Sequence, residues 1–421
     1  MQDPRERLQQ EAKAAWLESD RKNTIVVPTG SGKSKIAIDI LKEFFLKEYY
    51  VNGYDKILLL TNSTLLRDEN WKKEFDKWGY RWESIESECY QTAYKWVGRK
   101  FDLVIADELD FIAEEYKKFF DNNECKIVLG MTGFVTEEKE AFINSFLPIC
   151  YKAEVQDLQE AGILNKSEFI FVKYPLSKQK TIEQKKRDGG KFMTSENDQY
   201  KYYDKEYHKA MIVKANLEKK YRLMNVIAST QADWKAADWN FKIKATKRKS
   251  ILNNLDSSIK VTQNLINKIH QEEGHKILIF SSLTKQCDKL PNPFHGKNEQ
   301  DNTALDKLNS GEIKEVAVVK KVNRGVNLVG VDTIIYESYD GSETSFVQTH
   351  GRGLRLRPDQ TLKVYILIPV FEEMVRQVNG SFTKMTIATQ ARNWADKMTA
   401  SFNLTNSKTI TLKEDLNIER L

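Results

Sequence analysis

The sequence predicts an α/β protein with two parallel-sheet domains in tandem and a helical region between them. Three observations carry this. Short β-rich runs alternate with helical patterns over the first third of the chain, and the same alternation returns near the end. Between them, residues 191–273 form an 83-residue stretch with neither glycine nor proline. Strand–helix–strand alternation builds a parallel sheet covered by helices. A long stretch without breakers favours long helices. The expected domains are 1–165, a mainly helical region at 166–255, and 256–421, which includes a C-terminal extension.

Taken in order, Thr24-Ile25-Val26-Val27 is the first expected strand. A glycine turn follows, and then a helix from Lys35 to Tyr49, on which Ile36, Ile40, Leu41, Phe44 and Phe45 recur at helical spacing. Lys56–Thr61 reads as a fully buried strand from its unbroken apolarity. Phe101–Ala106 and Lys126–Leu129 have the same character. Late in the chain Lys276–Phe280, Val316–Val319, Thr333–Tyr336 and Val364–Ile368 repeat it. Gly274 stands where a helix C-cap belongs, ahead of the Lys276 strand. The last fifty residues mix helical pattern with Asn, Thr and Ser clusters and suggest no role.

Composition narrows the class. The chain has 421 residues, enough for about two to three domains. Hydrophobic residues at 40% and charged residues at 30% allow real cores and exclude a disordered chain. With 19 glycines, 8 prolines and 4 cysteines, collagen-like and disulfide-scaffold classes are excluded too. Lys and Arg number 66 against 60 Asp and Glu, a formal charge of +6 that permits a nucleic-acid partner without demanding one. Cys89, Cys125, Cys150 and Cys287 form no CxxC pair, which argues against a zinc ribbon and fits thiols in a reducing cytosol. The N-terminal residues lack the apolar core of a secretory signal. The longest apolar run, Val364–Phe371, is too short to span a bilayer. A soluble intracellular protein is expected.

Two motifs carry chemistry. Pro28-Thr29-Gly30-Ser31-Gly32-Lys33-Ser34 lies between a strand and a helix, the context a phosphate-binding loop requires. Gly30 and Gly32 let the backbone turn its N–H groups toward phosphate oxygens, and the following helix adds its positive end. Lys33 would contact the β- and γ-phosphates and the Ser34 hydroxyl would ligate Mg²⁺. Position 27 is valine, so the strict GxxxxGK[ST] pattern is not met. Asp107-Glu108-Leu109-Asp110 follows the strand Leu103-Val104-Ile105. There Asp107 would hold Mg²⁺ and Glu108 would orient or deprotonate the attacking water.

In motif order the chain resembles the superfamily-two DExD/H helicases over most of its length. Gln9, in Arg7-Leu8-Gln9-Gln10, resembles the family's adenine-reading glutamine, and Pro28–Ser34 its motif I. Thr61-Asn62-Ser63-Thr64 resembles motif Ia, with Trp71 and Phe75 where the family often places aromatics. Asp107–Asp110 resembles motif II, with Leu109 where DEAD-box proteins have alanine, and Gly130-Met131-Thr132-Gly133 resembles motif III. Ile277–Ser282 resembles motif IV, and His295-Gly296 the short signature after it. Asn323–Leu328 resembles motif V. Gln348-Thr349-His350-Gly351-Arg352-Gly353-Leu354-Arg355 is similar to motif VI. The Thr-Gly of motif III and Gln348 are closest in style to phage and bacterial branch-migration and repair helicases.

The resemblance implies two RecA-like domains with ATP and Mg²⁺ between them. Gln9, the loop residues 28–34, Asp107 and Glu108 would form one wall. Gly325, Asn327 and the arginine fingers Arg352 and Arg355 would supply the other. It further implies a monomer on single-stranded or branched DNA, working in replication, recombination or repair. Backbone contacts would come from Thr61, Ser63, Thr64, Ser281 and Thr284, and more weakly from Lys320 and Lys321. An RNA helicase or annealing factor, or a P-loop ATPase switch in a larger assembly, stays open. Two basic stretches of the middle region, 178–191 and 242–249, lie beside aromatics and could equally be solvated helix faces. His208, His270 and His275 have no metal-ligand spacing.

Overall fold

The computed structural model describes residues 3–47, 56–64, 66–81, 85–185, 189–271, 274–295, 303–319, 330–338, 361–376, 381–400, 407–413, 415, 416 and 418. The chain divides into two compact units. Unit 1 is built mainly on Met1–Ser167, and unit 2 mainly on Glu168–Lys320 and Lys363–Leu421.

Unit 1 is a six-stranded, all-parallel sheet. Its strands are β1 (Lys22–Val26), β2 (Ile57–Thr61), β3 (Ile85–Cys89), β4 (Lys100–Ala106), β5 (Glu124–Thr132) and β6 (Ile149–Lys152), in the order β3-β2-β4-β5-β1-β6. Every residue of β2 is buried, as its unbroken Ile-Leu-Leu-Leu demands. Each of those side chains contributes about 2 kcal/mol by leaving water. The sequence reading passed over β3 and β6. β3 is polar at its centre, Glu-Ser-Glu, and β6 is only half-buried at the edge, so neither has the continuous apolar signature. The N-terminal helix Pro4–Glu18 starts with Pro4 and with Asp3, whose carboxylate accepts the Arg5 N–H at 3.0 Å. It buries Leu8, Ala12 and Trp16, four residues apart, and the Trp16 indole donates to the Val128 carbonyl at 3.3 Å.

Unit 2 holds a second sheet. Its strands are β7 (Ser167–Pro175), β10 (Ile277–Phe280), β11 (Pro293–Phe294), β12 (Glu315–Val318), β13 (Thr333–Tyr336), β14 (Leu362–Arg376), β15 (Phe382–Ala388) and β16 (Ser407–Thr411). The order is β11-β12-β10-β13-β14-β7-β16, with β15 antiparallel to β14. β8 (Ile182–Lys185) and β9 (Lys191–Thr194) form a separate hairpin. The glycine-free stretch is helical from Glu196 to Leu223, Ala232 to Leu252 and Asp256 to Ile269, while its first residues form β9. His270 takes the C-cap of the last helix, and Gly274 adopts a left-handed φ of 90° in the turn beyond. The C-terminal tail has a structural role that its polar sequence concealed. β16 adds to the sheet beside β7, and Leu412, Leu416 and Ile418 join the core.

Two buried carboxylates organise unit 2. Glu196 accepts from the Ser177, Asp256 and Ser257 N–H groups at 3.0, 2.7 and 3.1 Å and from the Ser257 hydroxyl at 2.6 Å, so it caps the helix that begins at Asp256. Glu337 accepts from the hydroxyls of Ser258 and Ser281. Burial pushes its carboxyl above the ordinary 4.5, against the pull of hydroxyls that favour the charged form. Because the folded state holds this proton more tightly than the unfolded chain, its contribution is complete below about pH 4.5. It is lost as pH rises through the folded value. Urea unfolding of Glu337→Gln, which cannot ionise, should therefore lose less stability than the wild type between pH 4.5 and 7. Parallel stability curves for the two proteins would show that Glu337 carries no such cost. All four cysteines are free, and burial pushes the thiols of Cys125 and Cys150 up to about 11. No helix among the described residues is long and apolar enough to cross a membrane.

Candidate functional site

The site forms at the carboxyl ends of β1, β4 and β5. β5 lies between β1 and β4 in the sheet, so whatever follows β5 stands between the residues following the other two. This is where parallel sheets bind ligands. The loop Pro28–Ser34 leaves β1 and enters the helix Lys33–Lys47. Gly30 and Gly32 have φ values of 98° and 99°, a conformation that side chains resist. Ser31 is buried, and its hydroxyl donates to the Pro28 carbonyl at 2.6 Å, which closes the turn. Gln9, on the N-terminal helix, donates its amide to the Ser31 carbonyl at 3.1 Å. The helix that buries Trp16 thus sets Gln9 against the loop.

The acidic pair leaves β4. Asp107 is buried with both carboxylate oxygens engaged. The Trp71 indole N–H donates to one and the Glu108 backbone N–H to the other, each at 2.9 Å. The Tyr90 hydroxyl donates to the Asp107 carbonyl at 2.9 Å. Burial pushes the Asp107 carboxyl up, while Lys33, the Trp71 N–H and the Glu108 N–H hold it down. Glu108 has a left-handed backbone, φ 56° and ψ 47°. That costs a non-glycine residue about 1–2 kcal/mol. It turns the chain from β4 into the short 3₁₀ turn Leu109–Phe111, which brings Asp110 back beneath the site.

Thr132, the last residue of β5, and Gly133 after it join the two halves. The Thr132 hydroxyl donates to Asp110 at 2.6 Å. A Cβ on Gly133 would lie 2.9 Å from Lys33 Nζ and 3.0 Å from Thr29 Oγ1. Glycine at 133 therefore leaves the room Lys33 occupies. Burial also pushes the Asp110 carboxyl up, opposed by Thr132 and Lys33.

Among the predicted residues, Gln9, Pro28–Ser34, Asp107, Glu108, Thr132 and Gly133 gather at one edge of unit 1. Gly325, Asn327, Arg352, Arg355, Lys320 and Lys321 lie outside the described residues. Trp71 and Phe75 are 3% and 0% exposed, packed with centroids 5.4 Å apart, and the Trp71 indole donates to Asp107. Thr61 and Ser281 are buried and their hydroxyls are committed, to the Ser63 carbonyl at 3.0 Å and to Glu337 at 2.9 Å. Neither presents a free hydroxyl to a phosphate. Ser63 and Thr284 are half-buried and Thr64 is exposed. The sequence carried no sign that Trp71 and Tyr90 brace Asp107, because they come from separate helices and meet it only in the fold.

The donors suit Mg²⁺ bound together with a nucleotide. The described residues contain no cluster of three or more His, Cys, Asp or Glu able to hold a metal alone. One braced carboxylate beside a phosphate-binding loop is the arrangement Mg²⁺ uses when phosphates supply the other ligands.

Comparison with known proteins agrees with the geometry. Residues 257–357 match the helicase conserved C-terminal domain, and residues 4–91 match the family model of the type III restriction enzyme res subunit. A DNA 3'-5' translocase, XPB2, from Sulfurisphaera tokodaii is 23% identical over 395 residues, covering 85% of this chain and 80% of the relative. Among solved structures, the DNA-bound type ISP restriction-modification enzyme LlaBIII aligns with 98% of this chain at TM-score 0.58 and 11% identity. This chain spans 31% of that enzyme's length. A fragment described as an HsdR subunit of a type I restriction enzyme from Vibrio vulnificus YJ016 aligns with 97% of this chain and 69% of its own, at TM-score 0.55 and 15% identity. These two likenesses show the α/β fold alone. The two family matches and the similarity to the translocase support a helicase of superfamily two, in agreement with the assembled motifs.

Proposed function

We propose that the protein is an ATP-dependent DNA helicase or translocase that hydrolyses ATP at the carboxyl edge of the unit 1 sheet. The observation that carries this reading is the convergence of Lys33, Asp107, Glu108 and Gly133 on one phosphate-binding loop. The backbone N–H groups of residues 30–34 and the Lys33 ammonium hold the phosphates. Gln9 reads adenine. Ser34 and Asp107 hold Mg²⁺, which would neutralise phosphate charge. Glu108 orients the attacking water and accepts its proton. Arg352 and Arg355 are the expected stabilisers of charge on the transferring phosphoryl group. Gly325 and Asn327 would complete the nucleotide contacts.

The archaeal relative's description as a DNA translocase, and the restriction enzyme's DNA-bound structure, support DNA over RNA as the track. With Thr61 and Ser281 occupied internally, Ser63, Thr64 and Thr284 are the remaining proposed hydroxyl contacts to its backbone. A monomer acting on single-stranded or branched DNA, in repair or recombination, completes the proposal. The test compares ATP turnover with single strands of matched sequence in DNA and in RNA. Stimulation by DNA at least tenfold above RNA is expected. Stronger stimulation by RNA would overturn the choice of track.

A further inference from the structure

The stretch of unit 1 that carries the proposed DNA contacts Ser63 and Thr64 is bonded to Asp107 on both sides. Before them, the Asp107 N–H donates to the Leu60 carbonyl at 2.9 Å, so β2 and β4 stay joined up to the carboxylate. After them, the Trp71 indole donates to the Asp107 carboxylate at 2.9 Å. Ser63 opens the path between these two points. Its carbonyl accepts the Arg67 N–H at 3.1 Å, and its hydroxyl accepts the Leu66 N–H at 3.4 Å. A displacement of Ser63 is therefore passed toward Trp71 through the helical turn that Leu66 and Arg67 begin.

Two features of this stretch are costly. Asn62 is 3% exposed, and neither its amide oxygen nor its amide nitrogen has a hydrogen-bond partner among the described residues. A buried amide left unpaired forfeits the bonds it had with water, and native structures keep few such groups. The backbone at Asn62 is held all the same. The Gln91 amide donates to the Asn62 carbonyl at 3.1 Å, and its neighbour Tyr90 donates to the Asp107 carbonyl at 2.9 Å. Leu66–Asn70 then forms a π-helical turn directly ahead of Trp71. Such turns are rare and gather at functional sites. Because a π-turn is wider than an α-turn, rewinding it would rotate Trp71 about the helix axis and change its hold on Asp107.

We propose that residues 60–71 are a relay that reports bound DNA to the Mg²⁺-binding carboxylate, with Asn62 as its positioning residue. The structure holds the resting form, which the unpaired amide makes costly. DNA on Ser63 and Thr64 favours a second form, in which the amide finds a partner and Trp71 reseats Asp107. A ligand shifts such an equilibrium only by its preference for one form, so the cost carried by Asn62 sets how readily DNA succeeds. The effect is reciprocal: Mg²⁺ and nucleotide at Asp107 change the grip on DNA by the same factor. The proposal rests on the reading of the protein as a DNA motor.

The test reads binding, not turnover. Fluorescence anisotropy of a labelled single-stranded DNA gives the affinity of the full chain with and without Mg²⁺ and a non-hydrolysable ATP analogue. In the wild type the two affinities should differ at least about tenfold. Asn62→Leu replaces the unpaired amide with an apolar side chain of similar size, which suits the buried resting form. Its two affinities should agree within about twofold, while its melting temperature rises by about 2–4 °C. A residue that only supports the fold would do the opposite, losing stability and keeping the wild-type ratio. Asn62→Ala removes the amide without added bulk, and it too should lose the ratio. The wild-type ratio in both variants would overturn the relay. So would a wild-type protein that binds DNA equally well with and without Mg²⁺ and the analogue, a result that leaves the motor reading to DNA-driven turnover. A wild-type protein that binds no DNA in either condition would sink the motor reading, and the relay with it.

Discussion

Gly32→Ala is expected to lower ATP turnover at least about 100-fold while leaving the protein folded. Two features act together. An alanine Cβ would sit 2.2 Å from Gln9 Nε2, so Gln9 would have to swing away and release the Ser31 carbonyl. That alone is tolerable, since Gln9 is flexible. The backbone is not: φ at Gly32 is 99°, where an alanine pays about 1–3 kcal/mol. Relaxing to a negative φ turns a loop N–H away from the phosphates, and one lost donor to a reacting anion costs about 10²–10³ in rate. The strain is confined to one loop at the carboxyl end of the sheet, so thermal unfolding should shift by only a few degrees. Turnover and a melting curve on the same preparation check both parts. Turnover within twofold of the wild type would remove the loop from the mechanism.

Asp107→Asn is expected to be nearly as damaging, despite its similar shape. Both oxygens of Asp107 accept, from Trp71 and from Glu108. An asparagine must point its NH₂ at one of these donors, leaving a buried mismatch that costs about 1–3 kcal/mol. It also removes the charge that would hold Mg²⁺, so turnover should fall about 10³-fold. Trp71→Phe separates bracing from ligation. The carboxylate stays but loses one anchor, and the Mg²⁺ concentration for half-maximal turnover should rise about 10- to 100-fold. Titrating Mg²⁺ in both variants distinguishes the roles. An unchanged Mg²⁺ requirement in Trp71→Phe would show that the indole serves packing alone.

The site was legible in sequence where its residues are local. The loop and the acidic pair each lie in a few consecutive residues after a buried strand, and β1 and β4 place them as that pattern implies. What could not be read is what crosses the chain. Trp71 and Tyr90 reach Asp107 from 36 and 17 residues away, and Asp110 reaches Thr132 over 22. Exposure was equally hidden. Thr61 and Ser281 have the right residue type but sit at buried strand ends, where a hydroxyl must find an internal partner. In unit 2 the breaker-free run announced helices, but the ion pairs across 196–252 depend on which faces meet. The strand β16 was lost because a polar edge strand lacks the apolar signature that betrays buried ones.

The central claim is that ATP hydrolysis at the Lys33–Asp107–Glu108 site is driven by DNA. Its most direct test is steady-state ATP turnover of the full chain at saturating Mg²⁺-ATP, with and without single-stranded DNA, beside Lys33→Ala. The account predicts at least a tenfold rise on adding DNA, and no turnover above background in the variant under either condition. Equal turnover with and without DNA in the wild type would contradict it.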